Sequence, residues 1–339
     1  MKLYDDNGYI NQHDILASPD VFIFEIGPRG TGKSYGILKD ILEQDLKFIL
    51  LRRTQTEMNT IKNNVTNPFK SVLQEFPETV IQCESIAENI GVFTRAEGEK
   101  DPEPCGYLAA LSTFKNVRGM DFSDVDIMFY DEFIPEKHAR PIKEEYDVFL
   151  NMYETINRNR ELQGKPPVKM VCAANSNDIA NPIFIGLEIV ERIGRMMNRK
   201  IESWRDPERK LSVYMFMRSP ISDRKAETAL YQLTAGSSFQ DMALRNMFDL
   251  DESAISSREL KEYKPLARIG ELVLYQHKSR DEYYIRCGKS GTVPDVYSTS
   301  DIDAKRFIKK YGYIFIAYLR DMVRFETSTS RILFERYFA

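Results

Sequence analysis

At 339 residues the chain is long for one ordinary domain and suits two, and 42% hydrophobic against 29% charged residues is the balance of a globular protein able to bury a real core. Its longest apolar runs last about six residues, far short of the ~20 that cross a bilayer, and the start Met1-Lys2-Leu3-Tyr4-Asp5-Asp6 lacks a signal peptide's apolar stretch, so a cytoplasmic location without membrane contact is expected. A net charge of −4 argues against a broadly basic nucleic-acid binder, but residues 1–182 carry 20 Lys+Arg against 29 Asp+Glu while residues 183–339 carry 27 against 22, leaving room for a few well-placed cations.

The first strand is expected at residues 21–26. Directly after it stands Gly27-Pro28-Arg29-Gly30-Thr31-Gly32-Lys33-Ser34, a complete G-x-x-x-x-G-K-[ST] loop that opens a helical pattern over residues 34–46. In such a loop the glycines let backbone N–H groups of Gly30, Thr31 and Gly32 wrap phosphates, and the helix N-terminus adds partial positive charge. Lys33 reaches the β- and γ-phosphates of ATP, and Ser34 ligates Mg²⁺. Arg29 has two readings: a γ-phosphate contact, or a pair with a neighbouring carboxylate.

A second strand over residues 47–52 is followed by a helix over 54–74 that carries Lys62 and Lys70. Residues 97–106 read as a surface loop, 107–111 as a strand, and 126–130 as an apolar strand ending in Asp131-Glu132. Behind a phosphate loop that pair gives Asp131 to the metal and Glu132 to the attacking water. A helix over 142–160 closes on Arg158-Asn159-Arg160, where the cations either meet the helix dipole or reach an adjacent subunit as an arginine finger. A loop at 163–167 leads to a strand at 168–174, which places Asn175 at its tip as a γ-phosphate sensor or a turn-capping residue. There is no D-x-x-G turn and no Asn-Lys-x-Asp guanine reader, which favours ATP over GTP.

Between residues 201 and 227 the periodicity falters, and this stretch is the expected linker between a P-loop domain (1–200) and a smaller α+β body (228–339). Within that body two strands, 270–278 and 282–288, precede a helix at Asp301–Tyr311. Asp295, Asp301 and Asp303 have N-capping as their ordinary explanation, and the cations Lys289, Lys305, Arg306, Lys309 and Lys310 suit RNA phosphates or a solvated helix face equally. Cys83, Cys105, Cys172 and Cys287 lie far apart with no C-x-x-C pair, so neither a zinc site nor a disulfide framework follows.

Taken in order and spacing, Gly27 to Ser34, Phe48-Ile49-Leu50-Leu51-Arg52-Arg53, Asp131-Glu132-Phe133-Ile134, Arg158-Asn159-Arg160-Glu161 and Asn175-Ser176 followed by Asn181-Pro182 resemble the DNA-packaging ATPase of phi29-like phages. The likeness is specific over about the first 190 residues. It implies an additional-strand, catalytic-glutamate (ASCE) P-loop ATPase related to large terminases, with ATP and Mg²⁺ as cofactors, working as a homomeric ring, pentameric in the family, on double-stranded DNA at a procapsid portal. By the same resemblance Lys33 and Ser34 are the loop pair, Asp131 and Glu132 the metal and water carboxylates, and Arg158 the trans finger. Arg118 would touch a neighbour's nucleotide, with Lys115 as its alternative. The C-terminal body would be a degenerate RNase H-like nuclease fold that docks onto packaging RNA or the portal. With DNA as the partner, Lys62 and Lys70 are candidate contacts, while Gln55 stands where a lysine would suit DNA gripping, a departure from the pattern. A terminase-like enzyme that still cuts DNA and a nucleotide-gated assembly scaffold are the rival readings.

Overall fold

Nine strands between residues 22 and 215 assemble into a single sheet. Its strands are β1 (Phe22–Ile26), β2 (Phe48–Arg52), β3 (Thr79–Ala87), β4 (Ile90–Glu97), β5 (Glu103–Ala110), β6 (Ile127–Asp131), β7 (Lys169–Ala174), β8 (Ser203–Asp206) and β9 (Leu211–Met215). They lie in the order β3-β4-β5-β2-β6-β7-β1-β9-β8. From β5 through β9 every neighbouring pair is parallel, while β3, β4 and β8 add on antiparallel. Parallel strands need both faces covered, and β1, β2 and β6 are accordingly buried along nearly their whole length. Because β7 lies between β1 and β6, the phosphate-loop strand and the acidic strand are separated by an additional strand, as expected of the ASCE class.

The computed structural model describes residues 2–62, 66–117, 119–135, 139–175, 178–217, 219–237, 240, 254–288 and 291–338. Helices follow in chain order as α1 (Gln12–Leu16), α2 (Lys33–Glu43), α3 (Gln55–Ile61), α4 (Glu145–Asn157), α5 (Pro182–Leu187), α6 (Val190–Arg199), α7 (Pro220–Ala226) and α8 (Ala229–Leu233). The helix expected over 54–74 is only α3 plus a single 3-10 turn at Val72–Gln74. Thr54 starts α3 with a capping box to Glu57, but Lys62 leaves the helix with ψ 137, and Pro68 has no N–H to continue one.

The unexpected β3–β4 hairpin extends the sheet at its edge. In β3 the buried positions Ile81 and Cys83 alternate with exposed Val80, Gln82 and Glu84, the period of a strand with one open face. Phe48, Phe69 and Phe93 bind this extension to the parallel strands, with ring centroids 5.3 to 5.6 Å apart. Glycine at 106 permits that packing, since a Cβ there would lie 2.6 Å from the Phe48 ring.

Contacts divide the chain into one unit of Met1–Asn177 with Glu202–Met247 and another of Asp178–Ile201 with Phe248–Ala339. This differs from the linear division at 201–227. Those residues are not a plain linker, because β8 and β9 fall within them and β9 is buried at all of its positions beside β1. The second unit holds a five-stranded sheet: β10 (Tyr263–Ile269), β11 (Leu272–His277), β12 (Tyr283–Cys287), β13 (Asp295–Tyr297) and β14 (Val323–Phe325), ordered β13-β10-β11-β12-β14. Helices Asp301–Tyr311, Tyr313–Leu319 and Ser328–Phe338 accompany it, together with α5 and α6. The carboxylate of Glu271 accepts the backbone N–H of Val190 at 2.8 Å, capping α6 within that unit.

Candidate active site

Ligands of open α/β sheets sit beyond the carboxyl ends of the strands, and the phosphate loop, Asp131, Glu132 and Asn175 lie at those ends. The phosphate loop leaves β1 between β7 and β9: Gly27 N donates to Ala174 O at 3.2 Å, and Phe216 N donates to Ile26 O at 2.7 Å. A Cβ at Gly27 would lie 2.7 Å from that of Phe216, so only glycine passes this crossing. Gly30 (φ 71) and Gly32 (φ 92) take left-handed conformations that turn the chain into α2, with Gly32 as its N-cap. Thr31 is buried, and its hydroxyl donates to Pro28 O at 3.1 Å.

Lys33 is almost wholly buried, and its ammonium donates to the carbonyl oxygens of Gly27 and Pro28, both at 2.8 Å. Burial pushes its pKa down to about 8, opposed by the charges of Glu25 and Asp131. Beneath it Glu25 is fully buried in β1, and desolvation lifts that carboxyl to about 7 against a hydrogen bond from Gln12 Nε2 at 2.6 Å and the charge of Lys33. Neither the other oxygen of Glu25 nor Oε1 of Gln12 has a donor. Sequence reasoning missed Glu25, whose signal is a lone acid inside an apolar strand.

Ser34 Oγ donates to Asp131 Oδ1 at 2.9 Å, which joins the loop to the end of β6. Two hard oxygens at the start of α2 and the end of β6 form the donor set that suits Mg²⁺. Burial raises the Asp131 carboxyl above its ordinary range, with Arg52 and Ser34 pulling the other way. Glu132 follows with φ 56, a left-handed conformation that costs a non-glycine residue energy and recurs at functional sites. Arg52, at the end of β2, bridges both acids: one guanidinium nitrogen donates to Asp131 Oδ2 and another to Glu132 Oε2, each at 2.8 Å. In the sequence Arg52 stands out only as part of the resemblance. Its signal was an arginine ending the strand that sits next to β6.

Asn175 directly follows Ala174 at the tip of β7, half-buried and beside the loop. Arg53 points the other way from Arg52 and makes a buried pair with Glu145 at 2.9 and 2.8 Å. A cleft of about 760 Å³ borders the loop, lined in part by Tyr9, Asn11, Gln12, Tyr35, Gly36 and Lys39.

Arg158 is placed elsewhere. Helix α4 has 13 residues, about 20 Å of rise, and carries Arg158 from the carboxyl ends of the strands back to the opposite edge. There its guanidinium donates to Met120 O at 3.0 Å and to Thr155 O at 3.2 Å, both ahead of the strands they precede, and the side chain stays exposed. Arg160 is committed to its own chain, donating to Val125 O and Pro166 O. Of the two arginines, Arg158 is thus the one presented outward, and it is out of reach of its own Asp131 and Glu132.

Lys62, a candidate DNA contact, is buried and its ammonium donates to Ala87 O at 2.8 Å and Glu88 O at 2.7 Å, so it pins the β3–β4 turn and presents no cation to a ligand. Lys70 is exposed. Arg118 lies outside the described residues, as do Ser176 and Lys289. In the second unit Asp295 pairs with Lys310 and Tyr311, and Asp303 accepts from Ser298 while Ser300 caps the helix. Among the described residues no group of three or more His, Cys, Asp and Glu side chains could hold a metal ion.

A model of the podovirus DNA encapsidation protein (Gp16) family matches residues 4–270. The DNA packaging protein of Bacillus phage phi29 is 25% identical over 265 residues, covering 77% of this chain and 72% of that protein. The solved Phi-28 gp11 DNA packaging motor superimposes over 98% of this chain and 97% of its own, with TM-score 0.64 and 20% identity. The bacteriophage phi29 genome packaging motor assembly does so over 98% and 99%, with TM-score 0.62 and 20% identity. At those identities the two structures establish a shared fold across both units.

Proposed function

The chain belongs to the podovirus DNA encapsidation protein (Gp16) family, and on that premise we propose that it hydrolyses ATP to drive double-stranded viral DNA into a procapsid. The observation that carries this reading is the continuous chain from Ser34 through Asp131 and Arg52 to Glu132, set against the phosphate loop. In the mechanism, loop N–H groups and Lys33 take the phosphates, exchanging the Gly27 and Pro28 carbonyls for phosphate oxygens. Ser34 and Asp131 would hold Mg²⁺, which neutralises charge on the phosphates when bound. Glu132 orients the attacking water and accepts its proton, and Asn175 lies where a polar amide can sense the γ-phosphate. The purine and ribose would enter the cleft beside Tyr9 and Tyr35.

Because α4 carries Arg158 away from its own site, its role as a finger belongs to the nucleotide of an adjacent copy. A homomeric ring, five-membered as the resemblance implies, follows from that requirement, with DNA along its bore. The second unit would dock on the portal or on packaging RNA at the portal vertex. The test is turnover of the full chain with and without double-stranded DNA, across a dilution series. ATPase activity that rises with DNA and falls on dilution supports the motor. ATP binding without turnover would instead leave a nucleotide-gated scaffold.

A further inference from the structure

Helix α7 carries a second lysine to the phosphate loop. Its start is fixed by Ser219, a fully buried residue whose hydroxyl donates to Gly8 O at 2.7 Å, and by proline at the first helical position. The last turn then brings Lys225 over the loop, within the same unit as β1 and α2. Its Nζ donates to Arg29 O at 2.5 Å, and a Cβ on Gly30 would lie 2.6 Å from that nitrogen. The ring of Tyr231 completes its surroundings at 5.5 Å.

Among the described residues no carboxylate pairs with Lys225. Desolvation lowers its pKa with no acid pulling the other way, and its charge, like that of Arg29, depresses Lys33. Three cations therefore crowd one short loop. A partly desolvated ammonium held by one carbonyl and a ring face, with no counter-charge among the described residues, gains most when an anion enters. Position names which anion. Lys33, which reaches for β- and γ-phosphates, has its ammonium at Gly27 and Pro28, and Lys225 sits next along the loop at Arg29 and Gly30.

We propose that Lys225 is a second phosphate-binding lysine of this site, which leaves Arg29 O for a γ-phosphate oxygen when ATP is bound, so that α7 distinguishes ATP from ADP. The inference rests on the ATPase reading above and adds a residue to it.

The experiment is equilibrium binding of ATP and of ADP, with Mg²⁺, to full-length chain in a Glu132→Gln background that suppresses turnover. Lys225→Ala is expected to weaken ATP about 10-fold or more while ADP changes less than about 2-fold, the size of one charge-assisted hydrogen bond. Lys225→Arg should keep most of the preference for ATP. Equal weakening of both nucleotides, or an unchanged ratio, overturns the proposal, because a lysine that only props α7 would not single out the terminal phosphate. Should the alanine variant not fold, Lys225→Gln keeps the stem over Tyr231 and gives the same comparison. If the Glu132→Gln parent binds neither nucleotide, the ATPase reading itself has failed, and Lys225 falls with it.

Discussion

Replacing Glu25 by glutamine should make the protein more stable and its nucleotide site weaker, and both effects should depend on pH. Glu25 ionises at about 7 in the fold against an ordinary 4.5. Below 4.5 the group is protonated in the folded and unfolded chain alike and contributes no difference. Between 4.5 and 7 the unfolded chain releases its proton while the folded chain keeps it, so stability falls as pH rises, levelling off above 7. At about 1.4 kcal/mol per pH unit the whole loss is about 3 kcal/mol.

Glutamine carries no such loss, and its new amide has an acceptor ready in Gln12 Oε1, which now lacks a donor. Chemical denaturation at pH 4.5 and at pH 8 should therefore show nearly equal stabilities at the lower value and a gain approaching 3 kcal/mol at the higher one. Lys33 loses in exchange. Burial sets the Lys33 pKa at about 8 even with the Glu25 charge as the largest influence holding it up, so without that charge the variant lysine deprotonates at lower pH and ATP binding weakens above neutrality. A variant equally stable to wild type at pH 8, or one binding ATP normally at pH 8, would refute the reasoning.

Three further outcomes follow from the same geometry. Arg53→Ala leaves Glu145 buried and unpaired and should cost about 3 to 5 kcal/mol in denaturant unfolding, whereas a double replacement of Arg53 and Glu145 by leucine should restore much of it. Lys62→Ala should lower stability by about 1 to 3 kcal/mol by freeing the β3–β4 turn, yet leave the salt dependence of DNA binding unchanged, since that ammonium is spent on Ala87 and Glu88. Arg52→Ala should lower turnover by about 10²-fold or more with the fold intact, because Glu132 then loses the partner that orients it; normal turnover in a steady-state assay would contradict this.

Much of the parallel sheet could be read from the chain because buried parallel strands are continuous apolar runs, and β1, β2, β6 and β7 were each expected within a residue or two of where they lie. The phosphate loop and Asp131-Glu132 were legible for a related reason: each motif is local and its strand-end setting is visible in the sequence. Pairs made across the sheet were not. Arg52 meets Asp131 and Glu132 only because β2 lies beside β6, an ordering that no local pattern carries. The β3–β4 hairpin was missed although Ile81 and Cys83 alternate with polar neighbours, because its exposed face dilutes the apolar signal. Leu211–Met215 was hidden by the charged turn before it, and so 201–227 read as a linker. The hold of Ala87 and Glu88 on the Lys62 ammonium was equally invisible, because those carbonyls lie 25 and 26 residues away in the chain.

If Arg158 serves a neighbour's nucleotide, mixed variants should complement one another. Arg158→Ala and Glu132→Gln chains, each assembled alone, should hydrolyse no ATP above background. In a random equal mixture about a quarter of the seams join an intact Glu132 to an intact Arg158, so turnover should reappear. An Arg158→Ala protein that turns over normally by itself, or a mixture as silent as its components, would contradict the account.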